Sequence, residues 1–423
     1  MKSDEGARRC RVLVVSRAYP NSVLTGQGLW VKRLVNQYAE TNEIKVIAPV
    51  PYCPPLSGFP EYTRFRHIAR RSSDGGVELF HPRFVVGPGR SLYLTEAVSY
   101  YLGIRRLADE IRASFDFDII HAHFSYPDGV AAALLGRRYG VPVVVTEHAP
   151  WMPNWMDKSA VVRRQSVWAA RRAVFQIAVS TSVRDSIAHF TGDPEKIRVI
   201  PCGVDGDAFS VAADRVTRRP DQILFVGFIN FNKGIDVLLE AIRRVVARKP
   251  SARLVLVGGG FFRNTKLQEG RLRVLARDLE QSGHVEFVGH RPPGEVARYM
   301  RESALLVLPS RAESFGAVLV ESLACGTPVV ATMCGGPEDI VTERVGVLVP
   351  TEDPAALAAA IERVLTNRND YDPAILRAYA LENFSWERIA RQTTELYLEA
   401  ISRFQSTVTA VDDPEYQREY RGA

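Results

Sequence analysis

Two glutamates eight residues apart, Glu313 and Glu321, stand in the segment RAESFGAVLVESLAC. Glu321 lies in a run that is apolar on nearly all sides, and a carboxylate there needs a partner. Between the two, Ser314, Phe315 and Gly316 mark the opening of a helix expected from about Ser314 to Cys325. The N–H groups at a helix start have no intrahelical acceptor, and the dipole is positive there, so such an end suits an anion. In a continuous helix the glutamates would be roughly 12 Å apart along the axis, at about 1.5 Å per residue. A diphosphate at the helix start, with hydroxyl-rich groups on either side, fits that layout. Lys233, followed by Gly234 in ILFVGFINFNKGIDVLLEAI, offers a cation at another helix start, behind a strand that ends at Gly227. His148, in VPVVVTEHAPW, brings an imidazole to the end of a third strand. Its neighbour Glu147 should point to the opposite face, as adjacent residues of an extended chain do.

These groups need elements that bring them to strand ends. Short β-branched runs alternate with amphipathic stretches, the pattern of parallel sheets with crossover helices. Strands are expected over residues 11–16, 44–48, 119–122, 141–146 and 176–180, then over 222–226, 253–257, 285–288, 305–308 and 328–331. Two sets of about five imply an α/β chain of two Rossmann-like, doubly wound domains. Such sheets bind ligands beyond the carboxyl ends of their strands, and two facing sheets would make a cleft. The expected division is 1–204 and 205–385, with the glycine- and charge-rich PCGVDGDAFSVAADRVTRRP between them. A last helix over about 386–404 is expected to pack back on the first domain, ahead of a frayed polar tail over 405–423.

Composition narrows the class. The 423 residues are 46% hydrophobic, with a mean hydropathy of −0.08, and no apolar run approaches the roughly 18–20 residues that span a bilayer. A cytoplasmic protein is expected. Five cysteines, none in a CxxC pair, argue against a disulfide framework and a structural zinc site. The net charge of +6 is carried by the first 210 residues, which hold 27 basic and 20 acidic side chains. That excess, with the aromatic stretch SLYLTEAVSYYLGIRRL, raises peripheral contact with an anionic membrane from the cytoplasmic side. No nucleic-acid partner is expected, and the oligomeric state stays open.

At Glu313 and Glu321 the chain resembles glycosyltransferase family 4, whose E-x7-E motif these residues match. The similarity extends in order from about Arg11 to Leu398, and HAHFSYPDGVAA is similar to bacterial cell-wall and exopolysaccharide transferases. The resemblance implies the GT-B fold and retaining transfer of a sugar from a nucleotide-diphosphate sugar, uridine ahead of guanosine, to a hydroxyl acceptor in polysaccharide or glycolipid synthesis. The nucleotide sugar would be a co-substrate, with no cofactor and no metal required. Glu313, His148 and Lys233 would be catalytic. Gly26, Gly227, Lys233, Glu313, Ser314, Phe315, Gly316 and Glu321 would hold the donor, and His121, Tyr126 and Asp128 would face a glycan or lipid-linked acceptor. The chain departs from the family at Phe228, where an arginine usually stands on the diphosphate. That departure keeps open a sugar-nucleotide-binding protein without catalysis, beside an epimerase on the same fold. A nicotinamide dehydrogenase fits less well, because Arg263 stands where the third fingerprint glycine belongs.

Overall fold

The computed structural model describes residues 9–24, 26–52, 60–87, 92–149, 159–211, 217–260 and 263–412. Its strands are β1 (Arg11–Val15), β2 (Glu43–Ile47), β3 (Val50–Tyr52), β4 (Arg71–Asp74), β5 (Val77–Phe80), β6 (Arg83–Val85), β7 (Ile119–His123), β8 (Val143–Glu147), β9 (Phe175–Ala178) and β10 (Ile197–Val199). They continue as β11 (Gln222–Gly227), β12 (Arg253–Gly258), β13 (Val285–Gly289), β14 (Leu305–Leu308), β15 (Val329–Thr332) and β16 (Gly346–Val349). The first sheet has the order β10-β9-β8-β7-β1-β2-β5-β4 and is parallel except for the β4–β5 hairpin. The second has the order β13-β12-β11-β14-β15-β16 and is parallel throughout. Both put largely apolar central strands under helices, which is why β7, β8, β14 and β15 are buried along their whole length.

The two sheets belong to two compact units. One takes in the chain up to Val179, Val183–Ile200 and the residues from Ile389 onward; the other takes in Ser180–Ser182 and Pro201–Arg388. All ten expected strands are present, with ends shifted by one or two residues. The strands that were not expected lie at edges or in short pairs. β4 reads RSSD and has no apolar period; a hairpin with Gly75 and Gly76 at positive φ sets it against β5.

The last helix runs over Trp386–Asp412, so the expectation of a frayed chain from residue 405 is corrected as far as 412; residues 413–423 lie outside the described residues. Along this polar stretch Ser406 and Thr407 turn their hydroxyls back onto the carbonyls of Ser402 and Arg403. Further up, its apolar face is anchored in the first unit. The hydroxyl of Tyr397, 0% exposed, lies 2.6 Å from Nδ1 of His121, and Asn42 donates to Oγ1 of Thr394 at 2.9 Å. Removing one partner of a buried hydrogen bond strands the other. Tyr397→Phe is therefore expected to lower unfolding stability by about 1–3 kcal/mol, read as a drop in the urea midpoint at unchanged slope.

Candidate active site

Three loops at the carboxyl ends of the second sheet build a charged cluster. After β11 the chain passes Phe228 and reaches a short turn in which Asn230 accepts the N–H of Lys233 at 2.9 Å. Gly234 follows in the left-handed region, φ 65°, and a Cβ there would stand 1.9 Å from the carbonyl oxygen of Pro309. Only glycine lets this helix start lie against the end of β14. After β14, Ser310 and Arg311 lead to Glu313. The backbone of Glu313 bridges to Gly335, its N–H donating to the Cys334 carbonyl and its own carbonyl accepting from Gly336. A Cβ on Gly336 would meet the Phe315 backbone at 2.3 Å. Glu338 accepts the N–H groups of Cys334 and Gly335 and holds that third loop in place.

The side chains then converge. Lys233 donates its ammonium to Oε1 of Glu313, which also accepts the Ser310 hydroxyl at 2.7 Å. The side chains are only 21% and 12% exposed, so the pair sits partly out of water, where charges attract more strongly. Arg311 does not join them. Its guanidinium makes two 2.9 Å bonds to Asp236 and also grips Glu352 and the Phe231 carbonyl. Those bonds, Asp236 first, raise its pKa above the ordinary arginine value.

Two expectations about this segment are corrected. The helix begins at Ala317, not Ser314, because Gly316 adopts φ 94° and caps it; it ends at Ala324. Glu313 and Glu321 are therefore not on one continuous helix, and the 12 Å axial estimate does not apply. Phe315 is buried, while Glu321 is partly buried on the helix. Gly227 ends β11 with φ 153°.

In the first unit, His148 follows β8 as expected. Its Nε2 lies 2.9 Å from Nδ1 of His123, and the two rings stack at 5.2 Å and 21°. Burial pushes the His148 pKa down to about 3. Glu147 turns the other way, 3% exposed, and accepts the N–H groups of Ser125, His148 and Ala149. Gly26 is exposed in the loop ahead of the first helix.

The acceptor-side expectation is corrected for two residues. His121 is 0% exposed, with both ring nitrogens taken, by Tyr397 and by Thr146 at 2.7 Å. Asp128 is 1% exposed, accepts the Tyr100 hydroxyl at 2.8 Å and the Arg17 N–H, and is pushed up to about 6 by burial. Both are internal supports. Tyr126 is partly buried and donates its hydroxyl to the Tyr93 carbonyl. Among the described residues no group of three His, Cys, Asp or Glu side chains is arranged to hold a metal ion.

Known proteins decide what this arrangement belongs to. The family model described as "Glycosyltransferase Family 4" matches residues 24–208, and that of "Glycosyl transferases group 1" matches residues 212–381. D-inositol 3-phosphate glycosyltransferase of Corynebacterium kroppenstedtii is 30% identical over 374 residues, 79% of this chain and 80% of that protein. The chain belongs to glycosyltransferase family 4. Among solved structures, sucrose-phosphate synthase from Thermosynechococcus elongatus is similar with a TM-score of 0.74 at 22% identity, covering 93% of this chain and all of that one. Anabaena HepE in complex with UDP-glucose is similar with a TM-score of 0.68 at 20% identity, covering 92% and 99%. The fold is GT-B, and the enzyme is a hexosyltransferase.

Phe228, at the family's usual arginine position, is 44% exposed, and Arg311, beyond the end of the paired strand β14, is spent on Asp236 and Glu352. Arg311 and its two acids escaped the reading of the sequence. So did His123, although HAH on a strand carried a signal, since alternate residues share one face. The Lys233–Glu313 link is open to a direct test. Lys233→Met strands a partly buried carboxylate and should cost about 1–3 kcal/mol. Adding Glu313→Gln should recover part of that loss in a double-mutant cycle of urea melts, and simple additivity would contradict the coupling.

Proposed function

We propose that this enzyme moves a hexosyl group, with retention at the anomeric carbon, from a nucleoside-diphosphate sugar to an acceptor hydroxyl in polysaccharide or glycolipid synthesis. The observation that carries the reading is the Lys233–Glu313 pair at the strand ends, beside the helix start at Gly316. A departing diphosphate needs positive charge and N–H donors fixed before the reaction begins. Lys233 and the first amides of the Ala317–Ala324 helix supply both without a metal ion. Glu313 accepts hydrogen bonds from the hydroxyls of the transferred sugar, and Glu321 from the ribose. In the reaction the bond from anomeric carbon to phosphate oxygen breaks, the acceptor oxygen bonds to that carbon from the same face, and the acceptor proton passes to the departing phosphate. His148 offers a neutral imidazole to the transferred sugar. A uridine nucleotide is favoured over guanosine by the likeness to a protein solved with UDP-glucose.

A thermal-shift screen against UDP-glucose, UDP-N-acetylglucosamine, GDP-mannose and ADP-glucose should show stabilisation that rises with concentration for a uridine sugar. With the donor so found, Glu313→Ala and Lys233→Ala should each lower kcat at least about 100-fold, and NMR of the product should show the donor's anomeric configuration. Transfer at the wild-type rate in both variants, or an inverted product, would refute the reading. Chelator should leave the rate unchanged.

Contact with an anionic membrane is proposed on a separate observation. The helix Ala160–Arg172 carries Arg163, Arg164, Arg171 and Arg172 around a hollow of about 400 Å³ floored by Val167, Trp168 and Phe190. The Arg172 guanidinium lies 4.3 Å from the centre of the Trp168 ring. In the stretch singled out in the sequence, Leu92, Leu94, Val98 and Leu102 are exposed. Sedimentation with phosphatidylglycerol vesicles is expected, with affinity falling about fivefold for each arginine changed to alanine. Equal binding to phosphatidylcholine vesicles would contradict it.

A further inference from the structure

The donor and acceptor readings leave one buried group without a task. His123 is 0% exposed, its Nδ1 faces Nε2 of His148 at 2.9 Å, and its own Nε2 has no hydrogen-bond partner among the described residues. A buried polar atom in that state asks for an explanation. His121, two residues back on β7, lies on the same face with ring centres 4.4 Å apart, but both its nitrogens are engaged by Tyr397 and Thr146. Phe124 and Trp30 hold His148 from other sides, with ring centres at 5.3 and 6.4 Å.

Burial lowers the pKa of all three imidazoles, for His121 and His148 to about 3, so each ring carries one proton. A contact between two ring nitrogens holds a single proton, which leaves two arrangements. If His148 donated from Nε2, the proton of His123 would sit on its own Nε2, a buried N–H without an acceptor. If His123 donates from Nδ1, its Nε2 is only an unused lone pair. Orphaned buried N–H groups are rarer than under-used acceptors, and leaving a buried donor unmade costs its full desolvation.

We infer that His123 is a positioning residue that donates Nδ1–H to Nε2 of His148 and so holds His148 in the Nδ1–H tautomer, presenting a neutral hydrogen-bond donor to the transferred sugar. The hydrogen bond at one ring nitrogen selects the state of the other. This deepens the role proposed for His148 and rests on it. A donor without charge can polarise a sugar oxygen.

The direct test is the long-range ¹⁵N–¹H correlation spectrum of the full-length protein labelled on histidine, with His148→Gln used for assignment. An Nδ1–H pattern for His148 is expected, and an Nε2–H pattern would overturn the inference whatever the variants do. His123→Leu should release His148 into a tautomer mixture and lower kcat by about 10- to 100-fold, as loss of an orienting partner does elsewhere. The KM for the nucleotide sugar that best stabilises the protein should stay within about threefold, because this contact is not with the nucleotide. His123→Asn, whose amide nitrogen reaches the place of Nδ1, should restore the Nδ1–H pattern and most of the rate. If His148→Ala turns over at the wild-type rate, the role of His148 fails. If His148→Ala is slow while His123→Leu keeps the wild-type rate and tautomer, the positioning role fails alone. Should His123→Leu not fold, the wild-type spectrum and His123→Asn still decide.

Discussion

An ammonium group and a carboxylate that meet at a sheet edge stay together only if the two loops bearing them are fixed independently. A lysine on four rotatable carbons gives up up to about 2 kcal/mol of side-chain entropy when it is held in one place. The Lys233–Glu313 contact therefore depends on its surroundings. Arg311 clamps the loop that precedes Glu313 onto the helix that follows Lys233, through Asp236 and the Phe231 carbonyl, while its own N–H donates to the Asn232 carbonyl at 2.9 Å. The bareness of Gly234 lets that helix start touch the Pro309 carbonyl. From the far side Gly335 and Gly336 press on the backbone of Glu313 and Phe315. The ion pair is the visible result; the arginine clamp and the glycine contacts hold it.

That explains why much of the site was legible in the sequence and where legibility stopped. Strands with apolar runs announce themselves, and residues just past them lie at the sheet's carboxyl edge, so the places of Glu313, Lys233 and His148 could be read from the sequence, while their roles came from the resemblance to family 4. The start of the Ala317 helix was misjudged because a serine is a good cap in general, whereas Gly316 at positive φ ends the loop in this chain. Nothing in the order of residues says that Arg311 faces Asp236, 75 positions earlier, and not a phosphate. Long-range pairing of that kind is decided by packing. The burial of His121 and Asp128 was hidden for the same reason: one is covered by Tyr397 from the far end of the chain, the other by Tyr100.

The candidate site groups at the strand ends of the two units are governed by different electrostatic devices. In the second, charges are kept and paired: Lys233 with Glu313, Arg311 with Asp236 and Glu352. In the first, beside a kept Arg17–Glu96 pair, burial works against charge: it lowers the pKa of the three imidazoles and pushes Asp128 and Glu147 toward protonation. A charged pair in water gains little, and partial burial is what gives the first device its strength. A buried neutral ring gains nothing from its titration, so its value lies in where its single proton stands. Each device fails differently. Loss of one charge in the second unit leaves its partner uncompensated and shows as lost stability. Loss of one imidazole in the first leaves a ring free to change tautomer, which disturbs direction before it disturbs folding.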